Sequence, residues 1–163
     1  MNLPKNCFPR CAATSVIVFA LLLISEQVDA ASWNGIEPFK SRRLDVIQIL
    51  GQPVGESPDG ALRFKVMGGL VQVSFVNEKF AAAKKLRPEL AGTVLEIVLQ
   101  HEHSSDTPES LKLSSNRSFT RDEMQSSLIF RNMKDGIAYT FLQGTLRTTR
   151  YTFADGQLSR ARR

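Results

Sequence analysis

The two histidines of this chain stand together in LQHEHSSDTPES, residues 99–110, with Glu102 between them and Asp106 shortly after. Imidazoles at i and i+2 of an extended strand project from one face, where they can chelate a zinc ion. Asp106 would add an oxygen ligand, while Glu102 turns to the opposite face. A structural zinc site takes four protein ligands and a catalytic one three, and no third histidine exists to complete either. His101, His103 and Asp106 are therefore metal candidates with an incomplete donor set, and no resident cofactor is expected. A nucleophilic reading would join Ser104, His103 and Asp106, but residues this close in sequence rarely reach the mutual geometry of a triad. There is no Gly-x-Ser-x-Gly elbow, and Gly68-Gly69 falls between alternating segments rather than before a helix. The acids Glu37, Glu56, Asp59, Glu96, Glu102, Asp122 and Glu123 are scattered. The simplest reading of the cluster is the polar end of a strand. A metal-dependent or hydrolytic enzyme centred on His101 and His103 is the alternative.

A second constellation is cationic. Arg147, Arg150, Arg160, Arg162 and Arg163 crowd the end of the chain against a single acid, Asp155. They could form a basic surface that meets anionic lipid headgroups or an acidic partner. They could equally be the charges with which an edge strand resists aggregation, and that is the favoured expectation.

The elements that must position these residues follow from periodicity. KSRRLDVIQILGQP, residues 40–53, reads as a helix with Ser41 as N-cap and with Leu44, Ile47 and Leu50 (helped by Val46 and Ile49) facing a core. Gly51 and Pro53 end it. From residue 61 the period becomes two: ALRFKV and LVQVSFV flank a glycine turn as a hairpin. EKFAAAKKL, 78–86, is a short helix, TVLEIVLQ, 93–100, a strand, and DTPESLKL, 106–113, a helical turn with Pro108 at its start. The polar stretch 114–127 is expected to be a mobile loop. Residues 126–133, 136–143, 145–153 and 157–162 read as strands separated by KDG, Gly144 and ADG. Carried through HEH, strand parity places His101 and His103 with Leu95, Ile97 and Leu99. Arg160 and Arg162 would share a face of the last hairpin, and Arg147 would share one with Tyr151. Strand runs plus a few helices predict an α+β domain: an antiparallel β-sheet with one N-terminal helix and one or two short helices packed on it.

The first thirty residues differ from the rest. Lys5 and Arg10 precede an uncharged apolar stretch, Ala12–Ile24, too short for a bilayer span of about 20 residues. Val28 and Ala30 supply the small residues of a cleavage site. Residues 1–30 are read as a signal peptide and 31–163 as a single domain, periplasmic or secreted; an uncleaved membrane anchor is the alternative. Both cysteines, Cys7 and Cys11, lie in the segment to be removed, so the domain should have neither a disulfide nor a lipid anchor. The net charge of +5 survives cleavage, because Lys5 and Arg10 leave with Glu26 and Asp29. That favours solubility and weak attraction to anionic surfaces, and export makes nucleic acid an unexpected partner.

Trp33, Gly35, Ile36, Pro38, Ser41, Arg43, Asp45, Val46, Leu50, Gly51 and Pro53 resemble the opening signature of a family of exported bacterial proteins of unassigned function. The helix with its LG-x-P ending is more distantly similar to small outer-membrane lipoproteins that assist β-barrel assembly, which pack helices on an antiparallel sheet. The resemblance implies a helix followed by a mostly β segment and brings no catalytic residue. Physically, the signature reads as folding information: Pro38 and Ser41 start the helix, and Trp33 with Ile36 fold back beside its entry. The expected function is that of a non-enzymatic exported domain acting by binding or support, with an envelope protein or an anionic surface as partner.

Overall fold

A computed structural model describes residues 30–162. Residues 1–29, which hold both cysteines and all but the last residue of the segment read from sequence as a signal peptide, and Arg163 lie outside the described residues. Eight strands form one antiparallel sheet: β1 (Gly55–Glu56), β2 (Leu62–Val66), β3 (Gly69–Phe75), β4 (Val94–His101), β5 (Thr120–Met124), β6 (Ser127–Asn132), β7 (Ile137–Leu142) and β8 (Thr145–Thr152). Among the described residues three short α-helices accompany it: α1 (Arg43–Leu50), α2 (Glu78–Lys84) and α3 (Asp155–Ala161). The fold is α+β, as the periodicity predicts. The strand order β1-β2-β3-β4-β8-β7-β6-β5 makes two four-stranded meanders joined by the pairing of β4 with β8.

Directly paired residues share a face of a sheet. The row Val71, Leu99, Thr149, Tyr139, Phe130 crosses five strands and ties both meanders to one buried face. On the first meander that face carries Leu62, Phe64, Val71, Val73, Val94 and Ile97, all 0–1% exposed, with Ile36 and Val46 above them. On the second it carries Phe130, Phe141 and Leu146, covered by Leu111, Leu113 and Phe119. A third apolar cluster, with Val76, Leu86, Leu90 and Ala161 at its centre, fastens α2 and α3 to one end of the molecule.

Four details depart from the periodicity. Val46 is the fully buried residue of α1, with Ile47 and Leu50 beside it, whereas Leu44 is 78% exposed. On a helix of 3.6 residues per turn, 46, 47 and 50 share a side and 44 lies off it. Ser41 is not the N-cap: its Oγ accepts from the Glu37 amide at 3.0 Å, and Asp45 instead accepts from the Arg42 amide at 2.7 Å. Part of the expected polar loop is strand β5, paired along its length with β6. The expected last strand is helix α3. Leu158 and Ala161 are three apart, a spacing that a helix turns onto one side, and both pack into the third cluster. Arg160 and Arg162 are consequently not on a hairpin.

The β2–β3 turn demands glycine for a steric reason. A Cβ on Gly69 would stand 1.9 Å from the Gln100 carbonyl oxygen, so β3 could not approach β4 with any larger residue there. That approach lets the Glu102 amide donate to the Gly68 carbonyl at 3.0 Å, which holds the chain just beyond β4.

Candidate functional site

β4 ends at His101, and His103 follows in an exposed bend. The strand therefore does not run through HEH, and the two imidazoles do not share a continued strand face. A bulge changes the parity at the other end as well. Phe75 pairs with Val94 and Ser74 with Glu96, which leaves Leu95 as the extra residue. Leu95 packs with Phe80 and Leu158 in the third cluster, apart from Ile97 and Leu99 in the first.

His101 sits at the seam between the two meanders. Its Nε2 lies 2.9 Å from the hydroxyl of Thr149, a residue only 4% exposed on the neighbouring strand. The pair needs both strands, because Thr149 is directly opposite Leu99 and diagonal to His101. Burial holds the imidazole below its ordinary value, while the Asp106 carboxylate pulls in the other direction. Ser104 and Asp106 shape the loop beyond: the Ser104 hydroxyl donates to Asp106 Oδ2 at 3.2 Å, and the Asp106 amide donates back to Ser104 Oγ at 3.1 Å. The Asp106 carbonyl accepts from the Leu146 amide at 2.9 Å, which anchors the loop to β8.

These residues bound a cleft of about 580 Å³. Leu99 and His101 line it from β4, Met67–Gly69 from the hairpin turn, and His103–Asp106 from the loop. Trp33 and Leu50 close the side toward α1. The structure thus gathers His101, His103 and Asp106 around one space without making a ligand set. Among the described residues no group of three or more His, Cys, Asp or Glu side chains is placed to hold a metal ion. Nor is a triad assembled from Ser104, His103 and Asp106: the Ser104 hydroxyl donates to Asp106 rather than to an imidazole, and His103 stands in the exposed bend.

The arginines do not form one group. Arg147 is exposed on β8, and Arg150 stands on the other sheet face, 3.4 Å from Glu96. Arg160 and Arg162 are at the far end, on and after α3.

Trp33 and the Met67–Gly69 turn are the cleft residues that the sequence does not reveal as such. Trp33 is read from sequence as part of a folding signature, and it does pack on the first core cluster. A pair of backbone hydrogen bonds with Ile36, 3.1 and 2.9 Å, closes a turn over Asn34 and Gly35. Both turn residues have positive φ, 52° and 80°, and the Asn-Gly pair is the one available sequence signal for that geometry. Among the described residues no helix is long and apolar enough to cross a membrane. No family model, no curated protein and no solved structure matches this chain.

Proposed function

We propose that this chain is an exported, non-enzymatic binding domain that takes a small ligand of mixed polar and apolar surface into the cleft beside His101. The observation that carries this reading is the cleft itself. Its volume of about 580 Å³ falls within the range of small-molecule sites, roughly 300–1,000 Å³. Trp33, Leu50 and Leu99 supply apolar wall, and His101, His103, Ser104 and Asp106 supply polar groups. Ser104 bonds to Asp106 and His101 to Thr149, so no nucleophile is aligned with a base, which favours holding a ligand over transforming it. Export is supported by the charge, apolar run and small-residue pattern of residues 1–30.

The chain has a single tryptophan, and it lies in the cleft, so the site carries its own reporter. Titration with anilinonaphthalene sulfonate, an apolar aromatic probe with a polar group, is followed by amide and indole nuclear magnetic resonance. The Trp33 indole signal and the amides of Met67–Gly69 and His101–Asp106 should shift together and saturate. Shifts that leave these residues unmoved would end the cleft reading. N-terminal sequencing of exported protein should begin at Ala31, and retention of residues 1–30 would remove the export half of the proposal.

A further inference from the structure

The fold removes the protective explanation for the C-terminal arginines and gives two of them a different setting. β8 is paired on both sides, to β4 and β7, and the sheet edges are β1 and β5. Charges that guard an exposed edge strand have no such work on β8, and Arg160 and Arg162 are not on a strand. Instead they meet a second basic run. KFAAAKKLR, residues 79–87, carries Lys79, Lys84, Lys85 and Arg87 with no acid among them. The Arg87 amide donates to the Ala161 carbonyl at 3.0 Å, and Leu86 pairs with Arg162 in an antiparallel bridge. Backbone contacts therefore lay the two basic stretches side by side. Lys40, Arg87 and Arg160 line one cavity of about 330 Å³ there, with Phe39, Leu90 and Ala161 as apolar wall.

The acids close to this cavity form solvent-exposed pairs with two of its cations. Glu89 is 3.5 Å from Arg87 Nε and Glu37 is 2.9 Å from Lys40 Nζ, with side chains 30–72% exposed. Such exposed pairs are weak and give way to a better anion. A phosphate is one, because guanidinium groups bind it through paired charge-assisted hydrogen bonds. We propose that the cavity between α3 and the segment after α2 is a site for the phosphate of an anionic phospholipid headgroup, gripped by Arg87 and Arg160, with Lys40 at its rim. Lys84, Lys85 and Arg162 extend the positive surface around it. The site is separate from the cleft, and neither depends on the other.

The test is co-sedimentation of the exported protein, residues 31–163, with vesicles of phosphatidylglycerol in phosphatidylcholine, against phosphatidylcholine alone. Binding should require the anionic lipid and fade as salt shortens the Debye length to about 8 Å. The Arg87→Gln, Arg160→Gln double variant should bind about thirtyfold more weakly, from two cations at the membrane surface. Both side chains are solvent-facing, and an unchanged circular dichroism spectrum will show that the variant folds. The Arg147→Gln, Arg150→Gln variant loses the same net charge elsewhere and should stay within about threefold of the unaltered protein. Equal losses in the two variants, or no loss in the first, would overturn the proposal. Pyrophosphate binding that is lost in the first variant, without any vesicle binding, would assign the site to a soluble phosphate and overturn the lipid.

Discussion

The two meanders bury the same face of one sheet by different means. Over β2–β4 the cover is α1, with Val46, Ile47 and Leu50 turned inward, completed by Ile36 and Trp33. Over β6–β8 no helix is present among the described residues. Leu111, Leu113 and Phe119 descend from a run of tight turns, whose amides bond locally: Leu111 to the Thr107 carbonyl at 3.2 Å, Leu113 to Pro108 at 2.9 Å, Phe119 to Asn116 at 3.1 Å. An irregular segment can seal a core when its own turns satisfy its backbone polar groups. The difference also locates the cleft. A helix and a turn-rich segment do not share an edge, and the space between α1 and the loop after His101 stays open.

If the irregular cover is as much a part of the fold as the helical one, truncation beneath it should be the costlier change. Phe141 is 0% exposed and meets Phe130 edge-on with ring centroids 6.0 Å apart. Phe141→Ala should cost about 3–5 kcal/mol, read from the urea midpoint. A loss below about 1 kcal/mol would mean that the 107–119 segment is a loose flap and that the comparison fails. Under the helical cover, Val46→Ala removes less volume and should cost about 2 kcal/mol, the methyl groups it buries plus a small cavity.

The seam between the two covers should respond to acid. Burial depresses the folded-state pKa of His101 below its unfolded value of about 6.5. The unfolded chain therefore binds the proton first, so the stability contributed by the neutral imidazole is complete above that value. It declines as pH falls from there toward the folded pKa. His101→Gln keeps a partner for the Thr149 hydroxyl and should flatten this part of the urea-midpoint profile. An unchanged profile would place the acid sensitivity elsewhere. The smallest effect belongs to the outer side of α1: Leu44→Ser should change stability by no more than about 0.5 kcal/mol, since Leu44 is 78% exposed. A larger loss would show that something covers this side of the helix.

What sequence alone could settle here is what covalent geometry imposes over a few residues. Alternation in LRFKV and VQVSF marks β2 and β3, glycines mark the turn between them, and Gly51 with Pro53 closes α1. The α+β class follows from such local periods, because side-chain direction repeats every two residues in a strand and every 3.6 in a helix. Three features required contacts between distant segments. One extra residue, Leu95, leaves the first cluster for the third while Val94 and Ile97 on either side of it stay in the first, and a bulge leaves no mark in an alternating sequence. The turn-rich cover over Phe130 and Phe141 has no period to detect. The His101–Thr149 bond spans 48 residues and exists because β4 pairs with β8, a choice made by the burial of whole faces. The histidine cluster was visible as a group of residue types, but which imidazole is half-buried, and against what, was decided by the join between the two meanders.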